Sequence, residues 1–360
     1  MEEERGDSRV NFVFDLDHYR LHGFHATPLL GLGSGDSYLL LDVLPPELAE
    51  QSFAEVDQEI EWNVMNHKGS PVPRLISIQG DLKEDGTQPL YRHPADEQPP
   101  MVPWTPFAQI CRRLVEERIG QALNHALIQK YRHGKDNIGE HADKTLDIEQ
   151  GSLIANLSLG ASRVMILKPK QDFVDCDEAS ASPLLVRPEL IERPHGPAPS
   201  GSGGGRDRVY QKITLPHNSV FVLGWQTNRD YLHSIRQDKR PASLKRADEC
   251  LYNEARISLT FRLIATHVEP SGKITGQGAL RKERWGVENE VSEEEQSVRM
   301  LTAFSNENRF SNFDWDAEYG CGFSIVNFAF LNRQTETARG EMIERFQERE
   351  QGQEEGQGEK

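Results

Sequence analysis

The chain has 360 residues, enough for one large domain or two ordinary ones. Hydrophobic residues make up 36%, which is low but sufficient for a core. The net charge of −16 is uneven: residues 1–100 carry −12, residues 101–265 carry +4 and residues 266–360 carry −8. Since an acidic chain is a poor non-specific binder of duplex nucleic acid, any such contact is expected in the middle segment.

The sequence shows neither a predicted membrane span nor a signal-peptide pattern, and together with the cysteine spacing this indicates an intracellular protein. No run approaches the roughly 18 consecutive apolar residues that predict a membrane span. The acidic N-terminus MEEERGDSRV does not resemble a signal peptide. The four cysteines are widely spaced, with no CxxC pair: Cys111, Cys176, Cys250 and Cys321. We therefore expect free thiols in a reducing compartment and a location in the nucleus, the cytoplasm or both. The sequence does not indicate the oligomeric state, and a monomer is favoured.

The N-terminal third of the chain predicts a helical layer. Residues 1–35 are polar and glycine-rich, so we expect them to be loosely ordered. A buried strand at 38–44 leads into a helix that opens at Pro45 and Pro46, with Asp42 as a possible cap. One face of this helix is apolar: Leu48, Phe53, Val56 and Ile60.

A second helix follows a strand at 72–79 and an extended, proline-rich loop at 87–103. Thr105 and Pro106 are typical of an N-cap and a first helical position, and Gly120 is typical of a helix end. The predicted apolar face of this helix comprises Phe107, Ile110, Leu114 and Val115.

The middle of the chain is rich in short strand-like runs. They lie at 125–131, 153–160, 163–168, 209–215, 219–225 and 255–265. Many short strands behind a helical layer predict an α+β, mainly β fold, namely a double-stranded β-helix, or jelly roll, over residues 36–268. A Pro/Gly/Ser-rich segment at 169–207 predicts a flexible insertion between two strands.

The C-terminal region divides into two parts by composition. Residues 269–336 form an extension that contains an aromatic stretch, which we expect to pack on the core or to cover an opening. Residues 337–360 are rich in Glu, Gln and Gly and predict an acidic, poorly ordered tail.

The motif with the clearest chemical implication is the pair His141 and Asp143. In an extended backbone, positions i and i+2 point to the same face, so an imidazole and a carboxylate can converge. With one distant histidine they would form the facial triad of a non-haem Fe(II) oxygenase. Such pairs also occur by chance on protein surfaces. For the third ligand, His195 lies in the insertion, His217 opens a strand, and His233 after the aromatic strand is favoured.

The last strong strand carries two arginines on one face. Arg256 and Arg262 are an even number of positions apart, and Ser258 and Thr260 share their face. Two readings are open at this point. The face is either solvated, or buried against an anion such as a dicarboxylate, because guanidinium groups bind carboxylates bidentately.

These motifs together resemble the AlkB family of Fe(II)- and 2-oxoglutarate-dependent dioxygenases. The pattern Y-x₂-G-x₄-G-x-H-x-D from Tyr131 is followed by LHSI around His233 and by RISLTFR at 256–262. Upstream, VPRLISIQGD, LYRHP and PWTPF are similar to the strand, the nucleotide-recognition segment and the helix start of that family. The resemblance spans roughly residues 70–265, and it is nearest to a fungal branch.

The resemblance implies a role for each matched residue. Fe(II) would be held by His141, Asp143 and His233. The co-substrate 2-oxoglutarate would be bound by Tyr131, Gln129, Arg256, Ser258 and Arg262, with Arg256 on its far carboxylate. Substrate contacts would come from Arg74, Tyr91 and Thr145. With O2, such a site would oxidise the alkyl group of an alkylated base in DNA or RNA, after flipping the base out of a duplex.

The sequence departs from the family pattern at three positions. Gln129 and Ser258 stand where the family usually has asparagine, and Thr145 stands where the DNA-repair members carry an acidic residue. The departures keep two alternatives open. One is the same oxidative chemistry on a small molecule or a protein side chain. The other is a non-catalytic nucleic-acid- or protein-binding module on the same barrel.

Overall fold

The computed structural model describes residues 29–67, 70–94, 99–173, 191–192, 210–285 and 291–326. The predictions made for residues 1–28, for most of the 169–207 insertion and for the 337–360 tail lie outside these ranges, as do Cys176 and His195. Cys111, Cys250 and Cys321 are free thiols, as predicted.

Seventeen strands build three sheets in the described part of the chain. In chain order they are β1 Leu29–Leu32, β2 Ser37–Leu40, β3 Asn63–His67, β4 Ser70–Gly80, β5 Gln88–Pro89, β6 Met101–Pro103, β7 His125–Tyr131, β8 Ile138–His141, β9 Ile154–Gly160, β10 Arg163–Pro169, β11 Ile191–Glu192, β12 Gln211–Leu215, β13 Ser219–Leu223, β14 Tyr231–Ile235, β15 Arg256–Arg262, β16 Thr266–Val268 and β17 Ile274–Gly276. Six α-helices accompany them: α1 Pro46–Glu59, α2 Pro106–Ile119, α3 Trp225–Asp230, α4 Lys282–Trp285, α5 Glu293–Arg309 and α6 Trp315–Tyr319.

The predicted jelly roll is confirmed by the sheet topology. The larger sheet has the order β1-β2-β13-β9-β15-β7-β4-β3, with β6 beside β4. The smaller sheet has the order β11-β12-β10-β14-β8, and β17-β16-β5 forms a third. Apolar side chains of the two main sheets meet in one buried cluster, including Ile154 and Phe221 from the larger sheet and Leu167 and Ile213 from the smaller.

The opposite face of the larger sheet is covered by α1 and α2, which form the predicted helical layer. Alternation along β15 explains this arrangement, because Ile257, Leu259 and Phe261 pack in the cluster formed with the two helices. Arg256 and Arg262 therefore point the other way, towards the space between the sheets. The strand is buried along its whole length.

Helix ends and faces correct two details of the prediction. Gly120 ends α2 in the left-handed conformation (φ 66°), as predicted. Ile110 is 38% exposed, whereas Cys111 is buried, because successive helical residues are about 100° apart around the axis. Asp42 does not cap α1; Pro45 holds that position, and Asp42 lies in the chain before it with a positive φ of 52°.

The strand predicted at 219–225 ends earlier, at Leu223, because a helix begins at Trp225. The first turn of this helix, α3, is held from a distant segment. The carboxylate of Asp36 accepts hydrogen bonds from the backbone N–H groups of Gln226 (2.7 Å) and Thr227 (3.1 Å). Asp36 lies 190 positions before Gln226, so the residues next to the helix carry no capping signal from which its start could be predicted.

Residues 269–326 pack against the jelly roll where the structure describes them. Leu146, a core residue, lies in one apolar cluster with Met300 and Phe304 of α5. The buried pair Arg92–Asp147 (2.6 Å) also holds this region, because Arg92 donates to the backbone carbonyls of residues 278, 323 and 325. Among the described helices, none has the length and apolar character needed to cross a membrane.

Candidate active site

Strand pairing brings the three predicted metal ligands together. His141 on β8 lies directly opposite His233 on β14, and Asp143 follows two residues after His141. Asp143 Oδ1 is 3.9 Å from Nε2 of each histidine. One ligand atom from each residue lies within 4.8 Å of the others. Two nitrogens and one carboxylate oxygen on a single edge are the donor set of a facial triad.

Hydrogen bonds orient these donors. His141 Nδ1 contacts the carbonyl of Gly139 at 2.9 Å, which leaves Nε2 directed at Asp143. Arg262 donates to Asp143 Oδ2 through Nη2 (2.8 Å) and Nε (3.1 Å), so Oδ1 is left for a metal. The side chain of Asn228 accepts from the backbone N–H of Asp143 and donates to its carbonyl, each at 2.9 Å. These partners fix the ligands as outer-shell groups do in metal sites.

Burial and charge place the three ligands in the protonation states that bind a divalent metal. Burial and the neighbouring His233 lower the pKa of His141 to about 3, and burial lowers the pKa of His233. Burial tends to raise the pKa of Asp143, but the charge of Arg262, together with the charges that the two imidazoles carry when protonated at low pH, outweighs burial and holds that pKa well below its usual value. At neutral pH the imidazoles are neutral and the carboxylate is ionised.

His217, an alternative third ligand, lies away from the triad and is used structurally. Its Nδ1 accepts from the backbone N–H of Gly160, and its Nε2 contacts the carbonyl of Ala49, both at 2.9 Å. Both ring nitrogens are therefore engaged by the backbone, and His233 takes the position beside Asp143.

The arginine face of β15 is buried, so the solvated reading is wrong. Arg256 is 0% exposed, and burial lowers its pKa to about 10. Its Nη2 donates to Asn156 Oδ1 (3.0 Å) and Ser158 Oγ (2.8 Å). Its Nε and Nη1 are buried and donate no hydrogen bond of normal geometry to any residue that the structure describes. A buried guanidinium with two unfilled donors fits a carboxylate, as 2-oxoglutarate would supply.

The register of β15 against β7 gathers the other predicted 2-oxoglutarate contacts. Arg256 is paired with Tyr131, and Ser258 is paired with Gln129. The Tyr131 hydroxyl contacts Gln129 Oε1 at 3.4 Å, and the Arg256 guanidinium lies 5.4 Å from the centre of the Tyr131 ring. Gln129, Tyr131 and Ser258 line the same cavity as the triad, and Arg256 adjoins them through its pairing with Tyr131.

Asn156 on β9 is a site residue that the sequence reasoning missed. Its amide donates to Ser258 Oγ and Thr260 Oγ1, each at 2.8 Å, while its carbonyl oxygen accepts from Arg256. An asparagine amide therefore lies beside Ser258, the position where the family usually has asparagine itself. One feature of the sequence could have indicated this role: Asn156 interrupts the apolar run LIANLSLG, and a buried polar side chain needs a hydrogen-bond partner.

We expect Asn156→Ala to raise the KM for 2-oxoglutarate by roughly 10- to 100-fold, with a smaller effect on kcat. The change removes a hydrogen bond to a buried cation, which is worth about 1.5–3 kcal/mol. Succinate formation at varied 2-oxoglutarate measures the effect. Asn63→Ala, on the edge strand β3, is the matched control, and an unchanged KM in Asn156→Ala would remove this residue from the subsite.

A cavity of about 520 Å³ lies between the sheets and reaches the triad. Arg74 and Tyr91, two of the three predicted substrate contacts, line it. Thr145 is not among the lining residues; it is buried, and its hydroxyl donates to Glu307 Oε1 of α5, so its role as a substrate contact stays a prediction. The lining also contains polar residues that the sequence did not indicate: His93, Asn137, Glu140, Lys144, Asn156 and Asn308.

Comparison with known proteins identifies the family. The profile of the 2OG-Fe(II) oxygenase superfamily matches residues 36–262, a range that includes the triad and both arginines. The chain belongs to the 2OG-Fe(II) oxygenase superfamily. It is therefore a 2-oxoglutarate-dependent oxygenase whose cofactors are Fe(II), 2-oxoglutarate and O2.

The chain is similar to AlkB-type members of this superfamily. It is 25% identical over 239 residues to DNA oxidative demethylase ALKBH2 of Bos taurus, covering 64% of this chain and 70% of the relative. It is 27% identical to ALKBH2 of Mus musculus, covering 60% and 75%. Alpha-ketoglutarate-dependent dioxygenase alkB homolog 3 of Bos taurus is 22% identical, covering 62% and 64%. The fungal branch stays a prediction.

One solved structure that is similar to this chain is that of OsALKBH1. It has 14% sequence identity and a TM-score of 0.37, covering 63% of this chain and 96% of that one.

Proposed function

We propose that this oxygenase oxidatively removes alkyl groups from nucleobases in DNA or RNA. The observation that carries the proposal is the similarity to DNA oxidative demethylases, taken together with the complete His-Asp-His triad and the two buried arginines of β15. The chain is acidic overall, so nucleic-acid contact is assigned to its mildly basic middle segment. A location in the nucleus or cytoplasm is part of the same proposal.

Each part of the site has a defined task in this reaction. His141, Asp143 and His233 would hold Fe(II), and Arg256 and Tyr131 would bind 2-oxoglutarate in the adjoining subsite. When bound, Fe(II), 2-oxoglutarate and O2 supply the oxidant: one oxygen atom enters succinate as CO2 is lost, and the other hydroxylates the substrate. A hydroxylated N-methyl group then leaves as formaldehyde and restores the base.

The protein itself orients the substrate and excludes water. Tyr91 is buried, its ring lies 4.3 Å from the guanidinium carbon of Arg262, and it stacks on His93 with ring centres 5.5 Å apart. This aromatic pair lines the cavity and offers a flat base a stacking surface. Arg74 is 8% exposed and donates to the carbonyl of Asn137 (3.1 Å), with its Nε buried and unbonded within the described structure. It can therefore donate to an acceptor on the substrate.

The proposal is tested with oligonucleotides that carry one 1-methyladenine or 3-methylcytosine, as single strands, duplexes and RNA. Purified protein is incubated with Fe(II), 2-oxoglutarate and O2, and each oligonucleotide is weighed by mass spectrometry. We expect the loss of one methylene unit from a methylated oligonucleotide, and no loss with His141→Ala. Intact oligonucleotides throughout, while succinate still forms, would contradict nucleobase demethylation but leave the oxygenase assignment standing.

One observation favours a second candidate, the same oxidative chemistry on a small molecule or a protein side chain. Repair members of the family carry an acidic residue at the position of Thr145, and here Thr145 is turned away from the cavity towards Glu307. Glu140 is the acidic cavity residue nearest in sequence to His141, and it is paired with Lys168 (2.7 Å) and Arg236 (3.3 Å). A cationic alkylated base thus finds less negative charge here than in those members.

A further inference from the structure

The loop that carries the metal ligand Asp143 is held by side chains rather than by strand pairing. Four consecutive backbone N–H groups donate to side-chain oxygens: Ala142 to Asn308 Oδ1 (3.0 Å), Asp143 to Asn228 Oδ1 (2.9 Å), Lys144 to the Tyr91 hydroxyl (3.2 Å) and Thr145 to Glu307 Oε1 (3.0 Å). Two of these four acceptors, Glu307 and Asn308, come from the C-terminal end of α5.

Glu307 is a buried carboxylate whose donors come largely from this loop. It is 3% exposed and accepts from both the backbone N–H and the hydroxyl of Thr145. The Tyr319 hydroxyl donates to its other oxygen at 2.7 Å, and Lys144 Nζ lies 3.8 Å from it. A carboxylate is costly to bury, so this set of donors makes the contact between α5 and the loop specific.

Asn308 connects the loop to the cavity. Its Oδ1 accepts from the backbone N–H of Ala142 (3.0 Å) and from Lys144 Nζ (2.5 Å). The residue lines the same cavity as His141, Asp143 and His233. It therefore supports the residues on both sides of Asp143 while contributing to the wall of the active site.

The end of α5 is itself fixed to the jelly roll. Lys170 Nζ donates to the backbone carbonyl of Glu307, and the apolar cluster that includes Phe304 also contains Leu146 from the loop's far end. Both acceptor residues lie beyond residues 36–262, the range matched by the superfamily profile. The contact is thus made by a part of the chain outside the range that the superfamily profile matches.

We propose that Glu307 and Asn308 are positioning residues for the metal site. They hold residues 142–145 so that Asp143 Oδ1 faces His141 and His233, and the C-terminal extension thereby completes the iron site. The inference concerns metal binding and does not depend on which substrate is oxidised. Outer-shell partners of metal ligands commonly contribute 10- to 100-fold to metal affinity, so we expect about a tenfold effect for each residue.

The test compares Asn308→Ala and Glu307→Gln with two control variants on the same helix. Asn306→Ala removes an asparagine that contacts Glu318 instead of the loop, and Glu294→Gln changes an exposed glutamate. Mn(II) affinity is measured without substrate, and thermal unfolding of the metal-free proteins is measured in parallel. We also record the visible absorption of the anaerobic Fe(II)–2-oxoglutarate complex, which a purely structural role would not change in a folded protein.

We expect Asn308→Ala and Glu307→Gln to bind Mn(II) about tenfold more weakly and to show an altered absorption band, while both controls match the wild type. Asn308→Asp keeps an oxygen for Ala142 and Lys144 and should restore most of the affinity. Unchanged Mn(II) affinity and an unchanged band in the folded Asn308→Ala and Glu307→Gln proteins would overturn the proposal. Equal losses in the control variants would overturn it as well.

Discussion

Asp143→Asn is expected to abolish metal binding and to destabilise the fold at the same time. The variant lacks the anionic ligand of the triad, so Mn(II) affinity should fall by more than the roughly 100-fold that outer-shell changes can cause. It also removes the counter-charge of Arg262, which is 2% exposed and paired with Asp143 at 2.8 Å. Breaking a buried ion pair costs about 3–5 kcal/mol; we expect about 3, because an amide oxygen can still accept a hydrogen bond. Calorimetric titration and chemical denaturation measure the two effects.

Asp147→Asn is the matched control for this prediction. Asp147 pairs with Arg92 at 2.6 Å, both side chains are almost fully buried, and neither residue belongs to the triad. We expect a similar loss in the free energy of unfolding, with a far smaller loss of metal affinity than in Asp143→Asn, because Asp147 is not a metal ligand. Tight Mn(II) binding by Asp143→Asn would contradict the ligand assignment, and an unchanged unfolding free energy would contradict the role of its pair with Arg262.

Arg256→Met is expected to abolish 2-oxoglutarate binding without destabilising the metal-free protein. The side chain is fully buried, and two of its nitrogens lack hydrogen bonds of normal geometry within the described structure. Replacing an incompletely paired buried cation with an apolar group of similar volume is often neutral or stabilising. The co-substrate, by contrast, loses a bidentate partner, so we expect its affinity to fall at least 100-fold, about 3 kcal/mol.

Arg256→Lys separates charge from geometry at this position. Lysine keeps the positive charge but cannot form the planar two-point contact, so an intermediate loss of 2-oxoglutarate affinity is expected. Binding is followed by titration of the Mn(II)-loaded protein, and stability by thermal unfolding without metal. Wild-type affinity in Arg256→Met would show that the co-substrate carboxylate binds elsewhere, and a large drop in stability would show that Arg256 is structurally paired.

The sequence predicted the parts of this site that depend on local spacing. His141 and Asp143 are two positions apart at the end of a strand, and Arg256 and Arg262 share one face of another, so their convergence followed from backbone geometry. His233 could be preferred over His217 by its position, but the opposing strand register that joins it to His141 appears only in the folded sheet. The jelly roll followed from the number and spacing of the short strands.

The residues that were missed act across long sequence distances. Asn156 and Asn308 are polar residues whose partners lie 100 or more positions away, so no local pattern indicates their role. The hydrogen bond from the Thr145 hydroxyl to Glu307, which belongs to a helix more than 160 residues later, has no local sequence signal either. The early end of the strand at Leu223 has the same cause, because Asp36 caps the following helix from the N-terminal region.

The most direct test of the proposed function is the ratio of repaired base to succinate. Wild-type protein, loaded with Fe(II) under anaerobic conditions, is given 2-oxoglutarate and O2 with a methylated or an unmodified oligonucleotide, and His141→Ala serves as the blank. The proposal predicts that the methylated oligonucleotide stimulates succinate formation and that one base is restored, with one formaldehyde released, for each additional succinate. Succinate formed at the same rate with either oligonucleotide, with no base restored, would contradict nucleobase demethylation and direct the search to another substrate.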